Sequence, residues 1–102
     1  MDVYFSTIEY TYSRKAASYG KYKGGSVYAF VRARDARDAL EKFEKRIKAL
    51  NLEIDRVDFI AMYEGTPWET KEDQEKFDNL AKEASQADDV ICDDFYSYKE
   101  DK

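Results

Sequence analysis

The stretch Ser26-Val27-Tyr28-Ala29-Phe30-Val31-Arg32-Ala33-Arg34 decides how the rest of the chain must fold. Its β-branched and aromatic residues read as a strand. Both of its registers are apolar, with Val27, Ala29, Val31 and Ala33 on one side and Tyr28 and Phe30 on the other. A strand wetted on one face alternates apolar with polar residues. This one does not, so both of its faces need a cover.

Residues 2–12, equally rich in β-branched and aromatic types, read as an earlier strand. No helical pattern separates the two, so they pair as a hairpin. Residues 13–25 then form its flexible loop, with Gly20, Gly24 and Gly25 as loosening points. After the second strand, Asp35 is a good N-cap and Asp38 completes an imperfect capping box. Ala36, Ala39, Leu40, Phe43, Ile47 and Leu50 follow at helical spacing. The charged face offers Glu41/Lys45 and Glu44/Lys48 pairs, and Asn51-Leu52 resembles a left-handed cap with its hydrophobic contact.

Residues 54–64 read as a third strand, with Val57, Phe59, Ala61 and Tyr63 opposed to Ile60 and Met62. Thr66-Pro67-Trp68-Glu69 has the form of a capping box, and Thr70 to Asp73 offers a second start. Phe77, Leu80, Ala81 and Ala84 supply the stripe of a second helix ending near Ala87-Asp88. Val90 to Tyr98 is the last strand, and 99–102 should fray.

One domain of 102 residues results. The expectation is an α+β fold: a two-layer sandwich of ββαβαβ order, with a four-stranded mixed sheet and two helices mainly on one face. It resembles ferredoxin-like sandwiches in the broad sense, although that type runs β-α-β-β-α-β. Strand–helix–strand crossovers favour parallel strands, hence the mixed sheet.

On that plan the second face carries Tyr28, Phe30, Ile60, Met62, Tyr96 and Tyr98. This apolar, Tyr-rich surface is expected to be a partner face, most simply a homodimer interface. Two alternatives remain. The helices could lie on opposite faces and bury both, or the tyrosines could simply tolerate partial exposure.

Charge is sorted along the chain. Residues 1–50 hold eleven Lys/Arg against six Asp/Glu, and residues 51–102 hold six against sixteen, which gives +5 and −10. Such asymmetry speaks to partners and encounter rates rather than to chemistry. The loop residues Arg14, Lys15, Tyr19, Lys21, Tyr22 and Lys23 interleave cations with aromatic rings. That composition suits phosphates and unstacked bases, so RNA or single-strand binding is the leading alternative function. A further alternative is an acidic inhibitor or immunity-type protein that blocks a basic partner.

Catalysis is not expected. The chain has no histidine, which removes the usual general base near neutral pH. Cys92 sits among Asp88, Asp89, Asp93 and Asp94, and reads as a structural thiol. Those four carboxylates match no known coordination loop, so neither metal nor cofactor is expected. Trp68 is expected to cap the core below its helix rather than anchor a partner. A single cysteine, no signal peptide at Met1-Asp2-Val3-Tyr4 and no long apolar run favour a cytoplasmic protein without a membrane partner.

Overall fold

The computed structural model describes residues 2–12, 24–64, 67–87, 89–93 and 96–98. Chain order is β1 (Asp2–Tyr12), β2 (Gly24–Ala33), α1 (Ala36–Ala49), β3 (Leu52–Met62), α2 (Lys71–Gln86), β4 (Ile91–Cys92) and β5 (Tyr96–Tyr98). The fold is α+β, an open sheet with two helices.

The sheet runs β3-β1-β2-β4, and β5 continues along the same side of β2 as β4. Every neighbouring pair is antiparallel, so the expected mixed sheet is corrected. The reason is local. The crossover through α1 does leave β2 and β3 running the same way, but β1 is inserted between them and pairs antiparallel with both.

The two helices lie on opposite faces, which corrects the two-layer expectation. Val27, Ala29, Val31 and Ala33 join Ala39, Phe43 and Ile47 of α1 in one core. Tyr28 and Phe30 join Phe77, Ala81 and Ala84 of α2 in the other. Successive strand residues point to opposite faces, so each register of β2 meets a different helix. Burial of Phe43, Ile47 and Phe77 stabilises by about 1.5–3 kcal/mol per side chain.

Both helices start where a side chain can satisfy the first free N–H groups. Asp35 Oδ1 accepts from the Asp38 N–H at 2.8 Å. Asp38 in turn accepts from the Arg34 N–H at 3.0 Å, which holds its carboxyl below the usual carboxylate range. The second helix takes the later of its two possible starts, with Thr70 Oγ1 accepting from the Asp73 N–H at 3.0 Å. Past α1, Asn51 adopts φ 60° and Leu52 is buried behind it, as the sequence predicts. Asp38 takes the ion pairs of the first turns, with Lys42 at 3.4 Å and Arg34 at 3.6 Å.

Gly24 and Gly25 belong to β2 and not to the loop that the sequence suggests. They are buried, and Gly25 lies opposite Tyr10. Two register shifts against β1 each give β3 one extra residue. They move Val57 onto the face of Ile60 and leave Phe59 edge-on to Phe5 on the other, with centroids 5.0 Å apart. Simple alternation therefore misassigns β3.

Candidate functional site

The expected partner face does not assemble. Phe30 is 0% exposed and stacks on Phe77 with centroids 6.0 Å apart, while Tyr28 lies 5.0 Å from the same ring. Ile60 packs against the α1 core, across the sheet from both. Met62 is exposed at the end of β3, the outermost strand. Tyr96 and Tyr98 pair through their backbones with Ser26 and Gly24, and their side chains lie outside the described residues. The surface drawn from those six residues is therefore corrected: α2 occupies the place given to the partner.

Arg14, Lys15, Tyr19, Lys21, Tyr22 and Lys23 lie outside the described residues. So do Asp88 and Asp94 of the acidic run. Its two described carboxylates reach cations of different helices, Asp89 Oδ2 lying 3.7 Å from Arg46 Nη1 and Asp93 Oδ2 3.0 Å from Lys76 Nζ. Among the described residues, no group of three or more Cys, Asp or Glu side chains is arranged to hold a metal ion. Nor is any helix among them long and apolar enough to cross a membrane.

Cys92 packs against the α1 core, and burial pushes its thiol up to about 11, with Asp89 adding to the rise and Arg46 opposing it. The thiolate is the reactive form, so labelling at pH 8 should be slower than for a thiol of ordinary pKa by on the order of 100-fold. The rate should climb until the pH passes 11. Alkylation followed by mass spectrometry checks this, and rapid labelling of folded protein at pH 8 would contradict it.

A polar network closes the α2 core. The Trp68 indole N–H donates to the Tyr63 hydroxyl at 2.9 Å, and that hydroxyl donates to Asp78 Oδ1 at 2.7 Å. Gln74 donates to the same carboxylate oxygen at 3.0 Å and accepts from the Trp68 backbone N–H at 3.0 Å. Burial pushes the Tyr63 phenol up to about 12, and its bond to Asp78 adds to the rise. Trp68 stacks on Phe77 with centroids 4.1 Å apart. It caps the core, as expected. Tyr63 and Trp68 stand five residues apart in the sequence, but nothing there links Gln74 or Asp78 to them. Their only local signal is that a buried Tyr and Trp need polar partners.

The open edge of β3 ends beside this network. Phe59 and Met62 are 39% and 48% exposed there. A cleft of about 360 Å³ lies between the strand end and α2, lined by Val3, Met62, Tyr63 and Ala81 together with the charged Asp2, Glu64, Asp78 and Lys82. A second cleft, about 250 Å³, lies across the sheet, between α1 and Asp89-Val90.

Charge is divided between the two faces. Helix α1 carries five cations against three carboxylates, and α2 carries three against five. The two helices, which lie on opposite faces of the sheet, thus carry charge of opposite sign.

No family model, no curated protein and no solved structure matches this chain.

Proposed function

We propose that this chain is a small non-catalytic binding module that engages a protein partner, first a second copy of itself, along the open edge of β3. The observation that carries this reading is the uncharged run Phe59-Ile60-Ala61-Met62 at the end of β3, with Phe59 and Met62 exposed and no neighbour on the strand's outer side among the described residues. The Tyr63 N–H donates to the Val3 carbonyl at 2.9 Å, toward β1. Alternate residues of a strand present their backbone groups to opposite sides, so the N–H and C=O of Met62 and Ile60 face outward.

Such an edge is a template for another strand. Farther back, β3 is guarded by Glu53, Asp55, Arg56 and Asp58 and by one bulge near Arg56, while the second bulge, between Val57 and Ile60, borders the uncharged run; all of these oppose pairing. The unguarded part is self-complementary. An antiparallel copy centred on Ala61 would set Ile60 opposite Met62 and Phe59 opposite Tyr63. A second reading, in which a basic protein docks on the acidic side of the molecule, is favoured by the charge of α2.

Sedimentation velocity tests the main reading. The wild type should form a dimer that persists as salt is raised, because the contact is apolar and backbone-mediated. Met62→Lys should sediment as a monomer with unchanged circular dichroism, its stability moving by no more than about 0.5 kcal/mol as befits a surface site. A wild type that stays monomeric at the highest soluble concentration would remove the self-pairing reading.

A further inference from the structure

We propose that the cleft between α1 and the Asp89-Val90 segment binds a small phosphate monoester. Lys42, Lys45 and Arg46 reach it from one face of α1, at the i, i+3, i+4 spacing that brings helical side chains together. Asp89 is the carboxylate on the opposite wall, and Val31 and Val90 form an apolar floor. Among the described lining residues, three cations against one carboxylate leave a net charge of +2, with Asp38 beside Lys42 just outside the lining. A phosphate monoester carries about −1.5 to −2 at pH 7, which matches it.

The pairing state of the cations supports a ligand. Lys42 is already fixed, donating to the Arg32 carbonyl at 2.9 Å with Asp38 at 3.4 Å, and contributes its field. Lys45 is exposed and makes no ion pair among the described residues. Arg46 has donors left over. Its Nη1 makes only the loose 3.7 Å contact with Asp89, and its buried Nε donates to no acceptor among the described residues. A guanidinium offers a planar fork that matches phosphate oxygens, and an ammonium beside it adds a point charge. The phosphate would sit between Lys45 and Arg46, with the ester group on the valines. Asp89 is the competing anion that such a ligand must displace. This site is independent of the β3 edge.

The test titrates the full-length chain with inorganic phosphate and with phenyl phosphate at constant ionic strength, following backbone amide shifts by NMR. Shifts should centre on residues 42–46 and 89–90 and saturate, and phenyl phosphate should bind about threefold tighter because its ring buries on the floor. Arg46→Gln should weaken binding about tenfold, and Asp89→Asn should strengthen it severalfold by removing the competitor. Lys48→Gln, on the same helix but outside the cleft, should leave the affinity unchanged. Shifts that do not saturate or that spread over all basic residues would overturn the assignment. So would an equal loss in Lys48→Gln, or an Asp89→Asn variant that binds no better.

Discussion

Truncating Phe30 to Ala is expected to lower the unfolding free energy by about 3–5 kcal/mol, a large share of the 5–15 kcal/mol typical of a domain. Phe30 is fully buried, with the rings of Phe5, Tyr63 and Phe77 at centroid distances of 6.0, 5.5 and 6.0 Å. Removing its ring forfeits the transfer free energy and leaves a cavity that three stiff aromatic neighbours fill poorly. Each lost aromatic pair adds about 0.5–1.5 kcal/mol beyond the area term. Phe30→Asp should not fold at all, because it also buries an unpaired charge. Urea denaturation followed by circular dichroism measures both. A folded, monomeric Phe30→Asp protein would instead show that Phe30 lines an interface and that α2 does not cover it.

That contrast shows where the sequence was legible. Helix α1 could be read outright, because Asp35, the apolar stripe and Asn51 are local signals that tertiary packing did not override. The apolar character of both β2 registers was also visible, and its consequence, that both faces are covered, is what the structure displays. Its cause was not visible, because the face on which α2 lands is set by the connection between Met62 and Lys71 rather than by the helix's own pattern. The faces of β3 were hidden for another reason: a bulge adds a backbone residue without changing composition, so counting by twos goes out of phase at Val57 and Phe59. Among the members of the predicted partner face whose side chains are described, Met62 is the exposed one. Arg46 carries no signal of its own in the sequence, since its neighbour Asp89 is far along the chain and is brought near only by the fold.

The glycines at the start of β2 carry the second large effect. Gly24→Ala is expected to destabilise the protein by about 1–3 kcal/mol, the usual cost of forcing atoms into a filled site. A Cβ at Gly24 would fall inside van der Waals contact of the Tyr10 carbonyl oxygen, with the carbonyl carbon at 3.3 Å and Thr11 Cα at 3.5 Å. All three are backbone atoms, so no side-chain rotation relieves the clash and β1 must move away from β2. Tyr10 is 2% exposed in the α1 core, so the displacement would also disturb its ring. Gly24 is paired with Tyr98 of β5 on its other side, which limits retreat in that direction. Were Gly24 a loop residue, as composition suggests, the same substitution would stabilise by about 0.4–1 kcal/mol through the entropy of the unfolded chain. The two expectations differ in sign. A urea midpoint that falls, with faster hydrogen exchange at the Gly24–Val27 amides, is the outcome the close β1–β2 approach requires, and a midpoint that rises would place Gly24 outside the sheet.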